Sequence, residues 1–207
     1  MRLNGASLAV ATCLVLLVTG PAIADDEQGN PNALLKGTYR HMASGSGAGA
    51  PTSSLNAPGF EPWPNLAARW AGNAGGHTFF DGVITYDGTG HATETLDGMV
   101  VSDGPFIVGD HPVLTFHEVC DWTYEVRQDR SFTREGTCQG ITTSAPFLGE
   151  PYTLSGLKWV GQIGIERAVL ISHHVFPPEE TTFSVKGVFF RKSIGMAQGI
   201  EMRMSPQ

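Results

Sequence analysis

Two cysteines, Cys120 and Cys138, bracket a strand-turn-strand pattern, and once an N-terminal export signal is removed they are the only cysteines left. Such a pair at the two ends of one hairpin reads as a disulfide staple formed in an oxidising compartment. Alternation sets the geometry: Leu114, Phe116, Glu118, Cys120, Trp122, Tyr124 and Val126 share one face, which reads as the core face. Reversal around Gln128-Asp129-Arg130 then places Cys120 opposite Cys138, Trp122 opposite Gly136, Tyr124 opposite Arg134 and Val126 opposite Phe132. Opposed β-carbons stand about 4.5–5.5 Å apart, within reach of disulfide geometry. Closing a loop of this size contributes about 3 kcal/mol.

The export signal is read from Arg2, the apolar run over residues 8–18, and the small residues Gly20-Pro21-Ala22-Ile23-Ala24 before Asp25-Asp26-Glu27, with cleavage expected after Ala24. Cys13 lies inside the apolar run and leaves with it. The run is too short for a membrane span, and no later stretch approaches the roughly 20 apolar residues that one needs. The expected location is secreted or periplasmic. The remaining 183 residues carry 12 basic against 20 acidic side chains. With no cluster of Lys and Arg, nucleic acid is an unsuitable partner.

Short strand patterns separated by turn signals fill the chain, and no window carries a capped period of 3.6 residues. Strands are expected over residues 35–42, 79–86, 91–96, 113–126, 131–139, 152–162, 168–175 and 183–191. Asp87-Gly88-Thr89-Gly90 supplies hairpin turn chemistry. Residues 25–34 read as a polar leader. The Gly/Ala/Ser/Pro-rich stretch 43–76 reads as a long loop with one helical turn at 65–71, and residues 194–207 read as a tail. The fold class is all-β: a single antiparallel, mostly up-and-down barrel of about eight strands over residues 35–193, with a long loop after the first strand. Closure removes exposed edges, and the starts Leu35-Lys36-Gly37-Thr38-Tyr39 and Val185-Lys186-Gly187-Val188-Phe189 are expected to meet.

The same register turns Glu118 and Arg134 inward, where a charge is costly unless it is paired or faces a polar cavity. Glu94, on the face of Ala92 and Leu96, is a second inward carboxylate. Seven histidines form no His-x-His, and the adjacent His173 and His174 point to opposite strand faces, so no metal is expected. His173 is read on the inward face with Val169, Ile171 and Val175, whereas His111 and His117 share a solvated face with Asp121 and Glu125. No nucleophile elbow is present, and Gly45-Ser46-Gly47-Ala48-Gly49 lacks the Lys-Ser/Thr ending of a phosphate loop. No cofactor is expected.

The order Leu35-Lys36-Gly37-Thr38-Tyr39, Phe80 to Gly90 with its Asp-Gly turn, and Trp122-Thr123-Tyr124-Glu125-Val126 resembles a group of secreted bacterial small β-barrel proteins of largely unassigned function, lipocalin-like or allene-oxide-cyclase-barrel-like. Gly37-x-Tyr39 is similar to the Gly-x-Trp start of lipocalins, with Tyr in place of Trp. The resemblance implies a barrel with a small apolar cavity.

The functional expectation is binding of a small, largely apolar molecule without catalysis. Tyr39, Tyr86, Trp122, Tyr124 and Phe189 are expected to line the cavity, with Glu94, Glu118, Arg134 and His173 as its polar groups. One alternative is a cofactor-free cyclase or isomerase in which Glu118 or His173 moves a proton. Another is a side-chain-filled barrel acting through its surface.

Overall fold

The structure, a computed structural model, describes residues 29–52, 56–65, 68–69, 74–102, 113–145, 147–164, 166–176, 178–185 and 189–204. The expected signal over residues 1–24 and His111 lie outside the described residues. Nine strands follow one 3₁₀ turn, Pro31–Leu35: β1 (Gly37–Pro51), β2 (Ala74–Tyr86), β3 (His91–Ser102), β4 (Val113–Val126), β5 (Ser131–Thr142), β6 (Pro151–Ile163), β7 (Val169–His174), β8 (Thr181–Val185) and β9 (Phe189–Arg203). Every pairing is antiparallel and joins neighbours around one sheet, which β1 and β9 close into a barrel. The nine strands occupy eight positions, because β7 and β8 each pair with both β6 and β9 and share one position as lower and upper halves.

The hairpin register is the one that alternation dictates. Cys120 pairs with Cys138, Trp122 with Gly136, Tyr124 with Arg134 and Val126 with Phe132, and the disulfide is formed. Arg130 takes a positive φ of 65° in the turn, and Asp129 accepts hydrogen bonds from Ser131 N and Oγ.

Five expectations are corrected. The stretch 43–76 is not one loop, since β1 runs on to Pro51 and β2 begins at Ala74. The helical turn expected at 65–71 lies partly outside the described residues, and within it Ala68 bridges to Phe60. The supposed tail is barrel wall, because β9 extends to Arg203 and the domain therefore ends beyond residue 193. Within the polar leader Leu34 is buried, in a 3₁₀ turn that also takes up Leu35, expected as the start of the first strand. Finally, the start of β1 meets the end of β9, with Tyr39 opposite Arg203, rather than the 185–189 segment.

Small residues explain why the extensions of β1 and β9 were misread. Inward positions on β1 are Gly45, Gly47 and Gly49, and those on β9 include Gly195, Ala197 and Gly199. A Cβ on Gly45 would stand 2.6 Å from Ala197 Cβ, and one on Gly47 would stand 2.5 Å from Ile194 O. The seam thus admits almost no side chain, and strand residues acquire a loop-like composition. The same economy empties the upper interior, while the lower end is filled. There Leu35, Tyr39, Ile84, Tyr86, Phe132 and Leu170 pack together. The 3₁₀ turn caps them, with Asn32 Oδ1 accepting from Val126 N at 2.8 Å and Asn30 Nδ2 donating to Gly88 O at 3.1 Å.

Candidate functional site

Above that packed layer lies a cavity of about 460 Å³. Its walls are aromatic and aliphatic, from Phe80 on β2, Leu96 on β3, Phe116 on β4, Leu154 on β6 and Phe183 on β8, against the glycines of β1 and β9. Its floor is polar. His41 Nδ1 donates to Glu94 Oε1 at 2.5 Å, and Trp122 Nε1 donates to Glu94 Oε2 at 2.9 Å. Beside them Arg134 Nη1 donates to Glu201 Oε1 at 2.8 Å and to Tyr86 Oη at 2.9 Å, while the Tyr86 hydroxyl donates to Glu201 Oε2 at 2.8 Å.

The guanidinium is also clasped by two rings, 4.9 Å from the Trp122 centroid and 5.1 Å from that of Trp159. Burial alone would favour the neutral form of Arg134. The charges of Glu201 and Glu94, with the hydrogen bond to the Tyr86 hydroxyl, outweigh it and push its pKa up. Burial likewise raises Glu94, but His41, Arg134 and Trp122 overcome it, leaving its pKa below the usual carboxylate range. Glu94 is therefore ionised. Glu94 and Glu201 each have a basic side chain within hydrogen-bond reach.

Glu118 differs. It is 6% exposed, and its one hydrogen bond among the described residues comes from the Tyr152 hydroxyl to Oε1, at 2.5 Å. Burial pushes its pKa up to about 7; the Tyr152 bond opposes this, the Glu94 charge adds to it and His117 opposes it slightly. Its carboxylate oxygen and the Cys120 and Cys138 sulfurs lie within 4.8 Å of one another. Those sulfurs are bonded to each other, so the trio is not a metal-ligand set.

Of the residues singled out from sequence, Glu94, Glu118, Trp122 and Arg134 converge on the cavity. Tyr39, Tyr86 and Tyr124 are buried beneath its floor and do not line it; Tyr124 instead donates to Asn32 O at 3.3 Å in the capped end. The Phe189 side chain lies outside the described residues. His173 is corrected: it is exposed on the outer face, and His174 lines the cavity with its ring 4.4 Å from that of Trp159. On β7 the apolar parity faces outward, with Ile171 61% exposed, while Leu170 and Ser172 are buried.

Sequence reading missed His41, Glu201, Tyr152 and Trp159. His41 shares strand parity with Tyr39, and this was the available signal. Glu201 had none, because its strand was read as a tail. His117 is on the outer face as expected, 2.8 Å from Asp97.

Comparison with protein-family models, curated proteins and solved structures returns no match.

Proposed function

We propose that this protein is an extracytoplasmic barrel that binds a small, largely apolar molecule in its interior. The observation that carries the reading is the cavity of about 460 Å³ with apolar walls and a few polar groups, the size and make-up of small-molecule sites. Its floor groups are bonded mainly to one another. A network bonded in that way, in which Arg134 Nε has no partner among the described residues, rigidifies a site rather than supplying a reactive group. The buried disulfide supports a location outside the cytoplasm. The barrel accords with the lipocalin-like or cyclase-barrel-like grouping that the turn and strand motifs resemble.

Native mass spectrometry of exported protein tests this. A retained small molecule, released on denaturation, is the expected result. A bare polypeptide mass, together with no change of Trp fluorescence on titration with lipophilic probes, overturns it.

A second reading, a cofactor-free cyclase or isomerase, is favoured by Glu118, a carboxyl titrating at about 7 inside an apolar cavity. Its outward position removes His173 from that role. Turnover abolished in Glu118→Gln with the fold intact is its signature.

A further inference from the structure

Three carboxylates are buried among the described residues: Glu94, Glu118 and Glu201. Glu94 faces His41, and Glu201 faces Arg134. Glu118 faces only a neutral hydroxyl, so its charge in the interior is uncompensated, a costly arrangement unless something supplies the missing cation. Resting on the binding reading above, we infer that the cavity ligand is an apolar amine whose ammonium group pairs with Glu118.

The surroundings fit that chemistry. The second oxygen of Glu118 makes no hydrogen bond among the described residues. Phe116 lies two positions away on the same strand face, and the Tyr152 and Phe183 rings stand 4.8 Å apart on the same wall. Aromatic faces attract ammonium groups. An acidic ligand would instead bring a third carboxylate to a wall that already holds Glu94 and Glu118. The basic groups at the floor are bonded already, Arg134 to Glu201 and His41 to Glu94. Arg191 also lines the cavity, from β9, four positions from β4 in the eight-position barrel, where it donates to Gly49 O at 3.5 Å. The other groups around Glu118 are the Cys120–Cys138 disulfide from β4 and β5, Tyr152 from β6, and His117 on the outer side of β4.

Calorimetric titration of the disulfide-intact protein with decylamine, 1-decanol and decanoate at pH 8 tests the inference. Decylamine is expected to bind about tenfold or more tighter than decanol, the gain of a charge-assisted hydrogen bond, with decanoate weakest. Glu118→Gln should erase the amine advantage and keep decanol affinity. On the unaltered protein, decylamine affinity should rise about tenfold from pH 6 to pH 8 as Glu118 ionises, while decanol stays flat. This second readout stands even if the variant fails to fold.

Decanoate binding as tightly as decylamine, an amine preference surviving Glu118→Gln, or an inverted pH slope overturns the amine assignment and leaves the binding reading standing. Absence of binding by all three overturns both.

Discussion

Tyr152 and Glu118 meet across an intervening strand: Glu118 on β4 pairs with Gly140 on β5, and Gly140 pairs in turn with Tyr152 on β6. The three residues form one row, and the missing side chain in its middle is what lets the phenol reach the carboxylate at 2.5 Å. A Cβ on Gly140 would overlap the Tyr152 ring. The row is thus built from a residue at each position whose size the next one requires.

Glu118 makes stability depend on pH. In the unfolded chain it titrates near 4.3, and in the barrel at about 7. The folded state therefore holds the proton more tightly. Stability from this group is full below the unfolded value and is lost as pH rises through about 7, by up to about 4 kcal/mol. Urea unfolding of ligand-free protein at pH 5 and pH 8 should show the native chain losing about 2–3 kcal/mol relative to Glu118→Gln. Parallel pH profiles for the two proteins would remove Glu118 from this role.

Gly140→Ala should act at a distance on the carboxyl. The added methyl displaces the Tyr152 ring, at about 1–3 kcal/mol of overpacking, and breaks the bond that now lowers the Glu118 pKa. Carboxyl NMR titration should find Glu118 shifted upward in Gly140→Ala and in Tyr152→Phe alike. An unmoved titration in either would show that the hydroxyl does not tune the acid.

How far the barrel was legible follows residue by residue. The β4–β5 hairpin was readable to the exact pairing, because its apolar alternation and its two cysteines pointed to one register. Inward Glu118 and Arg134 followed from the same parity. The starts of β1 and β9 were readable but their continuations beyond residues 42 and 191 were not, since Gly45, Gly47, Gly195 and Gly199 carry no apolar signal; their smallness serves the seam and the cavity. His173 was misplaced because β7 turns Val169 and Ile171 outward, so that hydrophobicity there marks the surface and not the core. The His41–Glu94 pair joins positions 53 residues apart, and only the closed sheet brings them together.

Arg134 and Glu201 should behave as a unit. Arg134→Met leaves Glu201 fully buried without its cation, and is expected to cost about 3–5 kcal/mol. Adding Glu201→Leu removes the orphaned charge and should recover most of the loss. Denaturant unfolding of the two single variants and the double variant closes the cycle. Additive losses would show that the pair is not coupled.

The disulfide anchors the hairpin that presents Glu118, two residues before Cys120, and Arg134, four before Cys138. With its ends 18 positions apart in sequence, it should contribute about 3 kcal/mol, chiefly by restricting the unfolded chain. Cys120→Ala with Cys138→Ala is therefore expected to lower the urea midpoint without changing the denaturant slope by much. Because the sulfurs lie within 4.8 Å of the Glu118 carboxylate, the same double variant should also loosen that side chain, and the Glu118 titration should move toward the ordinary carboxylate range as water reaches it. Thiol titration of denatured exported protein gives the companion readout: the cleavage expected after Ala24 would remove Cys13, so that no free thiol should be found. A thiol count of two would mean that the staple is absent and that the hairpin register is held by packing alone.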